Sequence, residues 1–246
     1  MGKCNVDKCP FRHNISEHEK ARITQMPCLI MRRYNKCPKH NAQMCPFNHE
    51  VKEGATNCPK IFARTEFHDA LVYFKTEHEQ RVVGGFHSAG RIYSVDHGLM
   101  SQDVEMIFIH PLTKKPDSVI ISWNHIDVKV EDEQGKWGKC ISFPLPKKCS
   151  GLKGLTIAKE KRFKFSNQVM FLGLENNLEK FWMSVCHPTG KRDGEDTVIY
   201  TCSTTYGDCG WPIIEGSTVV GMHVGRLASA GSNVFLAMGK PHNLNG

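Results

Sequence analysis

Thr204-Thr205-Tyr206-Gly207-Asp208-Cys209-Gly210-Trp211-Pro212, followed after a short turn by Val219-Val220-Gly221-Met222-His223, is the most informative stretch of this 246-residue chain. Glycines stand on both sides of Asp208-Cys209, and glycine reaches backbone conformations closed to other residues. A strained loop of that kind pushes a thiol outward and turns consecutive backbone N–H groups toward one point. A nucleophile needs both, because the negative charge that develops must meet donors already in place. Taken alone, Gly-x-Cys-Gly more often reads as a turn with a buried, inert cysteine, since free cysteine is among the most buried residue types. Three neighbours reverse that reading: Thr204 ahead of the cysteine, an apolar strand ending in Gly221-Met222-His223, and an upstream histidine, His97, on another apolar strand.

Working outward, Gly-x-Cys-Gly-x-Pro, two apolar residues, a short variable turn and apolar-Gly-apolar-His run from Gly207 to His223. Asn233-Val234-Phe235-Leu236-Ala237 then has the form of a closing strand. This constellation resembles the chymotrypsin-like cysteine proteases of positive-strand RNA viruses, the 3C-like group of picornaviral and potyviral processing proteases. The match is specific over about thirty-five residues, holds weakly in register back to about Arg81, and does not cover the first sixty. The resemblance implies an all-β fold of two six-stranded Greek-key barrels with an active site in the cleft between them. It implies Cys209 as nucleophile and the N–H groups of Gly207, Asp208 and Cys209 as the oxyanion hole. Thr204 and His223 fall where the family builds its S1 pocket, a threonine hydroxyl and an imidazole N–H that read a side-chain amide carbonyl. The implied activity is a cysteine endopeptidase that processes a viral polyprotein in the host cytoplasm, cleaving after Gln, or secondarily Glu.

His97 lies in Ile92-Tyr93-Ser94-Val95-Asp96-His97-Gly98-Leu99, an apolar strand running into a turn, and resembles the family's general base. His87, His110 and His125 are its rivals; His87 precedes the strand and His110 precedes a proline turn, so both suit a strand end less well. The family places an acid about thirty to thirty-five residues after the histidine, at the head of an apolar strand. Asp127-Val128-Lys129-Val130 has that form and makes Asp127 the first choice, with Glu131, Asp132 and Glu133 open in the same window. A Cys–His pair can also act without an acid, because a thiol reaches its anion far more readily than a hydroxyl does.

From about Asn57 onward, short runs rich in β-branched and aromatic residues are broken by turn residues, which predicts β-barrels or a sandwich. The basic, glycine-containing Lys147–Lys153 segment is the expected connector. The chain is therefore read as a zinc-binding segment over 1–56, a first barrel over 57–148 and a second over 149–246. Hydrophobic content of 40% supports a real core, and no run of about eighteen apolar residues encodes a membrane span. No secretory signal peptide is visible, so a reducing cytosol is the expected compartment.

Eleven cysteines are unevenly placed, with Cys4, Cys9, Cys28, Cys37, Cys45 and Cys58 all near the amino terminus. Cys28-x8-Cys37-x7-Cys45-x3-His49 supplies the three thiolates and one imidazole that a tetrahedral structural zinc site takes, and its spacing resembles CCCH zinc fingers. Cys4-x4-Cys9-x3-His13 is an incomplete first copy, and Cys-Pro-Phe recurs in both. Such a segment has too little apolar material to fold by burial, so metal binding would supply its folding free energy. Single-stranded RNA is a candidate partner, given the net charge of +7 and the interleaved charge and aromatics of Lys161-Arg162-Phe163-Lys164-Phe165. A solvated basic strand edge explains Lys161, Arg162 and Lys164 equally simply. A different class of function, an RNA-binding zinc protein with a catalytically idle barrel, would be expected to show damage at Cys209, His97, Gly207 or Gly210, and none is damaged.

Overall fold

Branched and aromatic side chains favour a pleated, half-buried surface, and their short runs here all become strands. The computed structural model describes residues 59–246 except 76–80, 98, 100–101, 133–138, 162–167, 176–179, 192–195, 206, 228–231 and 240–246, with backbone alone at 81, 82, 132, 191 and 227. All described residues belong to the second of the chain's two compact units, Gly54–Gly246. Cys4, Cys9, His13, Cys28, Cys37, Cys45 and His49 therefore lie outside the described residues, as do Arg162 and Lys164.

Two antiparallel-dominated sheets make up the fold, and no α-helix occurs among the described residues. The first contains β1 (Leu71–Lys75), β2 (Arg81–Ser88), β3 (Arg91–Val95), β4 (Val104–Ile109), β5 (Pro116–Ile121), β6 (Lys129–Asp132) and β7 (Cys140–Pro144), in the order β5-β4-β1-β2-β3-β7-β6. The second contains β8 (Thr156–Ile157), β9 (Val169–Glu175), β10 (Lys180–Lys191), β11 (Thr197–Thr201), β12 (Pro212–Glu215), β13 (Thr218–Leu227) and β14 (Ser232–Ala237). Its order is β12-β9-β10-β11-β14-β13-β8, and β12 also pairs with β13, so the sheet closes on itself.

Each sheet has seven strands where six were expected. In the first, the tight turn at Trp123–His125 divides β5 from β6. In the second, the two-residue β8 pairs in parallel with β13. The crossover lies between Pro144 and Thr156, where His87 fastens it: Leu155 N–H donates to the His87 carbonyl at 2.9 Å, and the His87 ring meets the Lys153 carbonyl at 3.1 Å.

One hydrophobic core runs without a break from Ala70 through Trp182 and Trp211 to Met238. Trp211 joins the two barrels: its side chain is fully buried and its indole N–H donates to the Val72 carbonyl of β1 at 3.0 Å. Room for the indole exists because residue 84 is glycine; a Cβ there would lie 2.2 Å from Trp211 Nε1. The lead-in to β1 makes a second tie. Ile61 and Met183 exchange backbone hydrogen bonds at 2.8 and 2.9 Å, which fills the free edge of the first half of β10.

Candidate active site

The Cys209 loop is built around a buried carboxylate. Asp208 is wholly buried, and its Oδ2 accepts from Thr205 N–H at 2.7 Å and from the Thr205 hydroxyl at 3.1 Å. Asp208 N–H in turn donates to the Thr205 carbonyl at 3.3 Å, closing the turn. Gly207 and Gly210 have φ of +86° and +93°, a left-handed backbone that strains any other residue. Gly210 is doubly required, since a Cβ on it would lie 2.0 Å from the Gly84 carbonyl oxygen. Gly84 N–H donates to the Cys209 carbonyl at 2.6 Å, so the first barrel holds the loop from below. Of the five described cysteines, Cys140, Cys149, Cys186 and Cys202 are buried and Cys209 alone is half-exposed. Burial pushes the Cys149 thiol up to about 12, which makes it inert.

His97 reaches the same place from the other barrel. Ser94, buried in β3, donates to the Gly84 carbonyl at 2.7 Å and ties the end of that strand beneath the Cys209 loop. The Asp96 carboxylate accepts from His97 N–H at 2.7 Å and from Lys139 N–H at 2.9 Å, which fixes the turn. The His97 ring then crosses to the second barrel, where Nε2 lies 3.2 Å from the Val224 carbonyl of β13. A carbonyl only accepts, so Nε2 carries the proton and Nδ1 the lone pair. Burial lowers the ring's pKa, partly offset by the Val224 bond and the Asp96 charge, and the imidazole is neutral at ordinary pH. Two of the rival histidines have structural roles: the His87 ring is engaged at both nitrogens, and His110 caps the turn at Leu112 and Thr113.

His223 is buried in β13 beside this junction, with its Nδ1 2.8 Å from the Tyr200 hydroxyl of β11. Burial, with the proximity of His97 adding to it and a hydrogen bond to the Val234 backbone partly opposing it, pushes the His223 pKa down to about 3. The Thr204 hydroxyl is 2.8 Å from Asn233 Oδ1, and Asn233 Nδ2 is 2.5 Å from the Cys202 carbonyl. Neither Tyr200 nor Asn233 was singled out from the sequence. The available signal was a polar-tipped residue inside an apolar strand, which needs a partner when buried.

Asp127 is not brought to His97. It sits beside Arg91, 3.9 Å from the guanidinium and with 71% of its side chain exposed. Arg91 opens β3, whereas His97 follows its other end six residues on, or roughly 20 Å away in extended chain. Strand register places a different acid nearer: Val95, two residues before His97, pairs with Cys140, and Cys140 pairs with Asp132. Glu131 accepts a hydrogen bond from the Ser142 hydroxyl, and Glu133 lies outside the described residues. Lys161 forms an ion pair with Asp196, Lys148 with Asp117 at 2.7 Å and Lys153 with Glu66 at 2.6 Å, so much of the basic region is locally neutralised. No cluster of potential metal ligands occurs among the described residues.

Two β-barrel-like sheets, with the Cys209 loop and His97 at their junction, give the chain a chymotrypsin-like fold. No protein-family profile matches the chain, and no curated protein matches it. Among solved structures it is similar to the tobacco vein mottling virus protease, at 12% identity and a TM-score of 0.52, covering 74% of this chain and 82% of that one. It is similar also to a Glu endopeptidase, at 11% identity and a TM-score of 0.55, covering 73% and 91%. Human heparin binding protein matches at 11% identity and a TM-score of 0.54, covering 72% and 90%. At these identities the likeness establishes the fold, and the chemistry rests on the site itself.

Proposed function

We propose that this protein is a cysteine endopeptidase that processes a viral polyprotein, cleaving after Gln or Glu. The observation that carries the reading is Cys209: the one half-exposed thiol among the described residues, on a left-handed glycine loop, beside the strand that receives His97. His97 takes the Cys209 proton and the thiolate attacks the scissile carbonyl carbon. Asp208 N–H is engaged within its turn, so the oxyanion falls to the N–H groups of Gly207 and Cys209. Collapse expels the amine, which His97 protonates, and water then hydrolyses the thioester with His97 again as base. For Nε2 to act as base, it must leave the Val224 carbonyl and give up its proton. A carboxylate at Nδ1 stabilises that tautomer, and register makes Asp132 the candidate. Thr204 and His223 read the P1 side chain.

Incubating the purified chain and its Cys209→Ala variant with a library of Gln-containing peptides tests this. Cleavage by the wild type alone is expected; equal cleavage by both proteins would sink the assignment. The amino-terminal segment is read as a structural zinc module, on its cysteine and histidine spacing alone. Elemental analysis should find about one zinc per chain, or two if Cys4, Cys9 and His13 recruit a fourth ligand. Contact with single-stranded RNA through that segment, or through Lys161, Arg162 and Lys164, is a further part of this reading. The Lys161–Asp196 pair favours the zinc segment as its place.

A further inference from the structure

The polar groups around Thr204 can be followed donor by donor, and the trail ends at a fixed direction. Asn233 has 1% of its surface exposed, so its amide has no solvent to turn toward. One end faces the Cys202 carbonyl at 2.5 Å. A carbonyl can only accept, so that end is the NH2 group, and the amide's orientation follows from chemistry. The other end, Oδ1, therefore faces the Thr204 hydroxyl at 2.8 Å, and it too can only accept. Thr204 must donate. A hydroxyl has a single hydrogen, so what Thr204 has left for any other group is its lone pairs.

We propose that Asn233, by committing the Thr204 proton, sets the choice of an amide over a carboxylate at the S1 pocket. The inference rests on the protease reading, and on Thr204 and His223 lining S1. A glutamine side chain brings an NH2 donor for the Thr204 lone pair. A glutamate carboxylate brings acceptors only, and one of them meets the Thr204 lone pair without a proton between them. His223 offers no compensating cation, since burial among Phe171, Tyr200 and its strand neighbours holds the ring neutral. One group works in the opposite direction: Arg226, the register partner of Asn233 on β13, carries a positive charge that favours a carboxylate. A hydrogen-bond mismatch in a buried pocket discriminates more sharply than a screened surface charge, so the amide should win.

The test is the kcat/KM ratio for two peptides that differ only in Gln or Glu at P1. Wild type should favour Gln on the order of 10²-fold or more. Asn233→Ala frees the Thr204 proton to point at the substrate, so the Glu rate should rise and the ratio narrow about tenfold. Thr204→Val keeps the shape and removes the hydroxyl; the Gln rate should fall about tenfold while the Glu rate holds, a check that does not depend on Asn233→Ala folding well. Equal or faster cleavage after Glu by the wild type overturns the inference and leaves the protease reading standing. So does an Asn233→Ala protein that loses both activities in the same proportion, because a merely structural asparagine would do that. Cleavage of neither peptide by the wild type overturns the protease reading, and this inference with it.

Discussion

The two barrels carry the same number of strands and treat their edges differently. In the second, β12 pairs with both β9 and β13, so the ring has no gap. Tyr200, His223, Thr204 and Asn233 hold one another there. The first sheet ends in β5 and β6, whose pairing partners among the described residues lie on one side only, and Ile120 and Val130 stand 62% and 43% exposed along them. A closed ring positions side chains by packing; an open row positions them by register and by the turns at strand ends. The Cys209 loop, Thr204 and His223 belong to the first kind of positioning, and His97 to the second.

The largest expected effect lies where the two barrels meet. Gly84→Ala should destabilise the unit by at least about 3 kcal/mol in a urea melt, because the new Cβ falls 2.2 Å from the Trp211 indole, which has nowhere to go. Ile120→Thr on the open edge should change stability by less than about 0.5 kcal/mol. Comparable losses from the two changes would erase the contrast between ring and row.

Next in size is the acid. Asp132→Asn should lower kcat roughly 10²-fold if the register row delivers its carboxylate to His97, while Asp127→Asn should lower it less than about twofold. A reversal of those two results would mean that β6 shifts along β7 in the active enzyme.

The smallest effect is a matter of pH. His223 has its folded pKa depressed from 6.5 to about 3, so as pH falls below 6.5 the unfolded chain takes up a proton that the folded one refuses. Stability is fully present above that value and should drop by about 2 kcal/mol between pH 7 and 5. His223→Gln should flatten that slope, as followed by thermal melts across the range. An unchanged slope would place the buried charge cost elsewhere. Activity should persist below pH 6.5, since burial also lowers the His97 pKa and keeps it competent as a base.

Much of this was legible before any coordinates. The Cys209 loop is a local motif, with its glycines, its threonine and its following strand inside one short stretch, and local patterns survive in a sequence. The strands around Leu71, Arg91, Val104 and Val169 were likewise visible as branched and aromatic runs. β2 was not, because it contains Gly84-Gly85, residues depleted in strands, and only a tryptophan 127 positions away explains them. Asp127 was preferred because an acid followed by Val-Lys-Val looks like a strand head in isolation. Whether it or Asp132 faces the histidine depends on which residue of β6 sits opposite Cys140, and pairing register is not written in either strand alone. Asn233 and Tyr200 escaped for the same reason: their meaning comes from β11, β14 and β13 lying side by side.

The Gly84–Trp211 interlock has a consequence for timing. The Trp211 indole bonds to a carbonyl 139 positions earlier in the chain, and the Cys209 carbonyl takes its hydrogen bond from Gly84. The Cys209 loop can thus be ordered only once the β1–β2 hairpin exists to receive it, and long-range closures of this kind form late. While the polypeptide is still being synthesised, the thiol has no shaped donors around it and no base across from it. On the proposed reading, the order of folding itself would hold back proteolysis until both halves of the site are in place.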